Sequence, residues 1–217
     1  MPEPSISAVV SIGGGGRGFV VGARGKRYVV TARHCLRKMP RSNFIGAFVG
    51  NLVRTDHESL WMPDRDPVYF VSPTWTKPIT RQQEAEFRRG AIALQPVLIH
   101  SGQDIAVLGD PSDGSEAYDA FVGSREALGL APPPSTELFS ARLLSLDGAW
   151  FGCQVQWHCD DYPIVYIKEF DKPLLRGMSG SPGIDDSGRA FGIVSEVGYI
   201  EGKAVCLVRC LPDWLWP

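Results

Sequence analysis

Three short stretches carry the residue types that acyl-transfer chemistry requires. Residues 177–182 read Gly-Met-Ser-Gly-Ser-Pro. A serine hydroxyl is a poor nucleophile: a base must take its proton, and fixed N–H donors must wait for the oxyanion that forms. Gly177 and Gly180, on either side of Ser179, let the backbone fold tightly enough to aim neighbouring N–H groups into one small hollow. The same six residues also read as an ordinary turn. Residues 28–35 read Tyr-Val-Val-Thr-Ala-Arg-His-Cys, an apolar strand ending abruptly in His34. Residues 103–108 read Gln-Asp-Ile-Ala-Val-Leu, with Asp104 immediately before an apolar strand. In the order His, Asp, Ser, these make the set in which a base activates the serine and a carboxylate holds the base.

Such residues need strands to hold them, and the chain is rich in strand signals. Residues 6–12 make a first strand. Residues 17–21 and 27–31 form a hairpin around Ala23-Arg24-Gly25-Lys26, and residues 44–53 are again β-like. From 61 to 100 the pattern loosens. Thr80-Arg81-Gln82-Gln83 has the form of a capping box that opens a short helix closed by Gly90, so this region reads as an insertion. Strand character returns at 104–108. Beyond the stiff Ala131-Pro132-Pro133-Pro134-Ser135 linker it continues at 138–144, 149–157 and 163–168, and 189–197 with 203–209 make a closing hairpin.

Composition bounds the function classes. The 217 residues suit one domain or two small lobes, and 44% hydrophobic with 21% charged residues is ordinary for a globular protein. Abundant glycine (24) and proline (17) with few long amphipathic segments favour an all-β fold. A net charge of −2 offers no electrostatic footprint for nucleic acid or an anionic membrane. The N-terminus lacks a basic segment followed by an apolar core, and no apolar run approaches the roughly 18 residues of a membrane span. Five cysteines cannot all pair within the chain, and Cys206 and Cys210 lie too far apart along a strand to bridge. A cytoplasmic protein with mostly reduced cysteines is the expectation.

With Gly18-Phe19-Val20-Val21, Thr31-Ala32-Arg33-His34-Cys35, Asp104-Ile105-Ala106-Val107-Leu108, Gly177 to Pro182 and Gly192-Ile193-Val194-Ser195 in this order, the chain resembles the trypsin/chymotrypsin-fold serine peptidases. It is closer to the bacterial HtrA-like, trypsin-like peptidase branch than to the digestive enzymes. The resemblance implies an all-β chymotrypsin-like fold of two antiparallel six-stranded barrels with a short helical insertion and the site in the cleft between them. One peptidase domain would span 1–217. Its N-terminal lobe, 1–125, would carry His34 and Asp104, and its C-terminal lobe, 126–217, would carry Ser179. By the same resemblance His34 is the general base, Asp104 fixes its tautomer, and the N–H groups of Gly177 and Ser179 form the oxyanion hole. No cofactor or metal is required.

Departures from the family pattern shape the expectation further. Secreted relatives pair the cysteine after the histidine with one about sixteen residues earlier; that place here is Phe19, leaving Cys35 a buried free thiol. The aspartate that in those relatives precedes the nucleophile is here Met178, so no zymogen step of that kind is expected. Pro173 stands where trypsins keep the aspartate at the pocket base, which disfavours Lys or Arg at P1. Val197, beside Gly198, would narrow the pocket toward small or medium apolar P1 residues such as Ala, Val or Leu. Ser195 would help bind substrate backbone, with an ordinary strand serine as the alternative.

Other candidates read more plainly. His57, His100 and His158 follow no strand-ending motif like that of His34 and read as surface or loop histidines. Asp64, Asp66, Asp110 and Asp113 lie in turn-like sequence. Cys153, His158 and Cys159 have the wrong spacing for a structural zinc site. Lys168, Lys172 and Arg176 read as a solvated face, and Trp214-Leu215-Trp216 as a barrel-packing clamp or a partner-docking patch. Two functions follow: a bacterial-type serine endopeptidase acting on protein or peptide substrates, or a protease-fold binding and scaffold module. In a variant of the second, a regulatory protein partner orders the serine loop.

Overall fold

The computed structural model describes residues 5–12, 16–36, 69–72, 91–100, 103–110, 115–132, 138–160, 162–170, 172–200 and 203–216. Strands β1 (Val9–Ile12), β2 (Gly16–Ala23), β3 (Lys26–Ala32), β4 (Tyr69–Ser72), β5 (Ile92–His100) and β6 (Ile105–Gly109) close a first antiparallel barrel in the order β1-β2-β3-β6-β5-β4. Strands β7 (Leu138–Leu144), β8 (Trp150–Asp160), β9 (Tyr162–Phe170), β10 (Pro182–Ile184), β11 (Ala190–Ile200) and β12 (Lys203–Cys210) close a second in the order β10-β11-β12-β9-β8-β7. Closure leaves neither sheet an open edge. This is the two-barrel, chymotrypsin-like architecture that the resemblance implies.

The β2–β3 hairpin shows why these residues fold as they do. Arg24 (φ 50°) and Gly25 (φ 74°) form a two-residue turn with both φ positive, the geometry whose twist matches the flanking strands. The register then pairs Phe19 with Val30 and Val21 with Tyr28. Between residues 6 and 12 the first strand is shorter than the sequence suggests. Ser5 accepts a hydrogen bond from the Ser7 N–H and starts a single 3-10 turn over Ile6–Ala8, so the strand begins only at Val9.

The region 61–100 corrects the sequence reading. Tyr69–Ser72 and Ile92–His100 are not an insertion but the fourth and fifth strands of the first barrel. Pro96 hides the second of these, because it cannot donate to the ladder; the register shifts between Pro96 and Leu98. The capping-box helix at Thr80 and the strand at 44–53 lie outside the described residues. Helix α1 (Glu116–Gly123), which the sequence reading missed, is capped by Ser115 and buries Tyr118, Phe121 and Val122. It docks through Arg27, whose guanidinium donates to the Val122 and Arg125 carbonyls.

Backbone straps join the barrels. The Leu128 N–H donates to Val20 O (2.9 Å) and the Ala131 N–H to Ala190 O (3.1 Å), so one segment touches both. The larger apolar core contains Val9, Phe19 and Ile105 of the first barrel together with Ile184, Ile193, Leu211 and Leu215 from the second half. Trp214 meets Tyr28 edge to face, centroids 5.7 Å apart, so the C-terminal run clamps onto the first barrel.

Candidate active site

The structure brings His34, Asp104 and Ser179 to the junction of the barrels. His34 lies on a 3-10 turn (Arg33–Cys35) directly after β3, and Asp104 on the turn before β6. Because β3 and β6 are neighbours, pairing Ala32 with Ile105, the two ends emerge side by side. Asp104 adopts a left-handed backbone (φ 53°), and its carbonyl accepts the Arg33 N–H at 2.8 Å.

Three donors converge on the Asp104 carboxylate. Oδ1 accepts the His34 backbone N–H at 3.0 Å, and Oδ2 faces His34 Nδ1 at 2.7 Å. The Ser195 hydroxyl donates to Oδ2 at 2.6 Å. The histidine side chain is 47% exposed and the aspartate 20%. With Nδ1 facing the carboxylate, Nε2 is the nitrogen available to accept a proton.

Ser195 reaches Asp104 because the strand is bulged there. Along the β11–β12 ladder Val194 pairs with Val208 and Glu196 with Leu207, leaving Ser195 as the extra residue. A bulge of this kind bends the strand and re-aims its side chain. The same residue touches the serine: Ser179 Oγ donates to the Ser195 carbonyl at 3.3 Å. No hydrogen bond joins Ser179 to His34 among the described residues, so reaching the histidine requires rotation about the serine Cα–Cβ bond.

The serine loop is held from both sides. Gly177 (φ 102°) and Gly180 (φ 81°) have left-handed backbones, and a Cβ on Gly180 would lie 1.8 Å from the Arg17 carbonyl oxygen. The Gly180 N–H donates to Val194 O (2.7 Å), the Ser181 N–H to Met178 O (2.9 Å), and the Arg17 N–H to Ser179 O (2.8 Å). The N–H groups of Gly177 and Ser179 donate to no partner among the described residues. Met178 is fully buried in the second barrel's apolar core, and its thioether accepts the Leu175 N–H at 3.4 Å. A hydrophobic plug thus holds the loop where secreted relatives use a carboxylate.

The other predicted site residues scatter. Val197 is 40% exposed and Gly198 half-buried on β11, two and three residues beyond Ser195. Pro173 is exposed, and Leu174 beside it packs against the second core. Asp110 serves a local role, accepting the Ser115 N–H at 3.0 Å. Lys172 lies on a solvated face, where it donates to the exposed Asp147 at 2.8 Å. Cys153 Sγ donates to the Ala141 carbonyl within the second barrel. His57, Asp64, Asp66 and Asp113 lie outside the described residues, as do the side chains of His100, His158, Cys159 and Lys168.

Two features escaped the sequence reading. Residue counting assigns Phe19 to the place opposite Cys35, but Phe19 belongs to the first barrel core. The residue facing Cys35 is Gly16, whose Cβ would lie 2.1 Å from Cys35 Sγ. The count assumed the hairpin length of the secreted relatives. Cys35, Cys153, Cys206 and Cys210 form no disulfide among the described residues. The second feature is Arg17, 2% exposed and bonded by its backbone to the serine loop. A charge between two glycines at the head of an apolar strand was its signal.

Comparison with known proteins follows the same line. The family model for the trypsin-like peptidase domain matches residues 16–193. The fold is similar to that of the HtrA-type protease AlgW with a decapeptide, at 13% identity and TM-score 0.50; 90% of this chain aligns with 48% of that one. The chain thus spans about half the length of that protease. It is also similar to the serine protease of a human pathogenic astrovirus (15% identity, TM-score 0.51, 99% of this chain and 96% of that). A mutant of human heparin binding protein has the same fold (14% identity, TM-score 0.52, 97% and 89%). No curated protein sequence matches the chain significantly.

Proposed function

The chain belongs to the trypsin-like peptidase domain family, and from that premise we propose that it is a serine endopeptidase working through His34, Asp104 and Ser179. The observation that carries the reading is the Asp104 carboxylate, which faces His34 Nδ1 and is held by the hydroxyl of Ser195.

On this reading Ser179 Oγ swings from the Ser195 carbonyl to His34 Nε2 when a substrate fills the cleft. It loses its proton to that nitrogen as it attacks the scissile carbonyl. Asp104 stabilises the imidazolium that results. The negative oxygen of the tetrahedral intermediate is received by the N–H groups of Gly177 and Ser179. As the C–N bond breaks, His34 returns the proton to the leaving amine. Water, deprotonated by the same histidine, then releases the acid and restores Ser179. These residues supply every proton transfer, so the proposal invokes no cofactor.

Protein or peptide substrates are the proposed class, extended along β11 beside Ser195. The exposed Val197 supports small or medium apolar residues at P1, whereas the exposed position of Pro173 lends that assignment no support. A reducing, cytoplasmic setting and a bacterial source belong to the same reading, the former supported by four buried cysteines that form no disulfide among the described residues. A second reading, of a module at rest until a protein partner orders the serine loop, is favoured by one contact: the Ser179 hydroxyl rests on Ser195 and not on His34.

A P1-varied peptide library, followed by mass spectrometry, tests the proposal. Cleavage after Ala, Val or Leu that Ser179→Ala abolishes is the expected result. Cleavage unaffected by that substitution would overturn it, and cleavage only after a partner is added would move the account to the second reading.

A further inference from the structure

Arg17 is unusual for its place. It lies on β2 of the first barrel and is almost completely buried. Burying a cation is costly unless it is hydrogen-bonded and compensated. Its Nη1 donates to the carbonyls of Leu144 (3.1 Å) and Ser145 (2.9 Å) and lies 3.4 Å from the Ser181 hydroxyl. Its backbone N–H donates to Ser179 O, and its carbonyl accepts the Thr31 hydroxyl at 2.6 Å. One residue of the first barrel therefore grips both the nucleophile's main chain and the β7–β8 turn of the second.

That turn bears on the serine loop at two more points. The Asp147 carboxylate accepts the Ser145 hydroxyl, the Ala149 N–H (3.1 Å) and Lys172 Nζ (2.8 Å). Leu146 lies 3.6 Å from where a Cβ on Gly177 would stand. The stretch 172–181 thus bonds to this turn through Lys172, passes Leu146 at Gly177, and bonds to Arg17 through Ser181. All three points lead through the turn or directly to Arg17. Burial lowers the Arg17 guanidinium to about 10, with Asp147 opposing the shift, so the cation persists at neutral pH.

We propose that Arg17 is a positioning residue for the oxyanion hole, fixing the 144–147 turn so that Leu146 and Lys172 hold Gly177 with its N–H aimed into the cleft. The inference rests on the peptidase reading and adds to it the element that orders the loop: an internal arginine linking the two barrels, in a chain whose nucleophile is preceded by Met178.

The test is the time course of labelling by a fluorophosphonate probe, read as rate constant and final amplitude, for the full chain, Arg17→Met and Leu146→Ala. Arg17→Met is expected to label to full amplitude but roughly 10- to 1,000-fold more slowly, the upper value being that of a lost hole donor. Leu146→Ala is expected to slow labelling in the same way, by a smaller factor. If Arg17 only supports folding, the amplitude will fall with the folded fraction while the rate constant stays at the native value, which overturns the inference. Should Arg17→Met fail to fold, Leu146→Ala decides alone: slower labelling at full amplitude supports the inference, and the native rate overturns it. A native chain that does not label removes the peptidase reading itself, a result distinct from a labelled native chain whose variants match it.

Discussion

Asp104 shows how much a single residue must satisfy. Its backbone is left-handed, its carbonyl takes the Arg33 N–H, and its carboxylate takes two donors from His34 and one from Ser195. An amide at this position would present an NH2 group where an acceptor is needed, favouring the wrong imidazole tautomer. Asp104→Asn is therefore expected to lower kcat by about 10⁴-fold with little change in KM. Steady-state kinetics on a cleaved peptide checks this, and a loss below about tenfold would count against the assigned role. His34, Asp104 and Ser179 were named from the sequence through their joint order and the family resemblance, since each stretch alone is a weak signal. Arg17 was not, because a single sequence does not reveal that a charged side chain at the head of β2 turns inward toward another barrel's carbonyls.

Among the elements, hairpins with their own turn chemistry were the readable ones. β2 and β3 announce themselves through Arg24-Gly25, and β7, β11 and β12 through apolar alternation. The failures have physical causes: Pro96 breaks the pattern of β5, β10 has three residues, and α1 is too short to display a period. The serine loop yields the sharpest element-scale prediction. Gly180→Ala would force a Cβ to within 1.8 Å of the Arg17 carbonyl at a left-handed φ, so backbone must move. Loss of activity with a lowered Tm is expected, and an active, equally stable variant would contradict the loop geometry. Acid should act late on the β7–β8 turn. Lys172, then the Ser145 hydroxyl and the Ala149 N–H, hold the Asp147 carboxyl well below the usual carboxylate range. A carboxyl lowered on folding stabilises fully above its unfolded pKa and loses that contribution as pH falls through the folded one. The Tm advantage of the native chain over Asp147→Asn should therefore hold steady from neutral pH to about pH 5 and shrink only below pH ~4. A difference that does not shrink there would rule out a role for this carboxylate in holding the turn.

At the scale of the molecule, two closed barrels share an apolar core and meet where the serine, histidine and aspartate converge. The all-β class followed from composition and alternation, whereas the pairing into barrels came from the family resemblance, because strand order between distant segments leaves no local trace. Cys35, Cys153, Cys206 and Cys210 are buried and form no disulfide among the described residues, and burial raises the thiols of Cys206 and Cys210, the latter to about 12. Buried neutral thiols of this kind are unreactive. The Tm should be the same with and without a reductant, and a fall on reduction would reveal a disulfide. The central claim is that His34, Asp104 and Ser179 act as one assembly beside a formed oxyanion hole. Its most direct test is intact-mass analysis after treatment with a fluorophosphonate. One covalent adduct on the native chain, absent from both Ser179→Ala and His34→Ala, is the predicted result; a folded native chain that takes up no probe, or one that still reacts after Ser179→Ala, would contradict it.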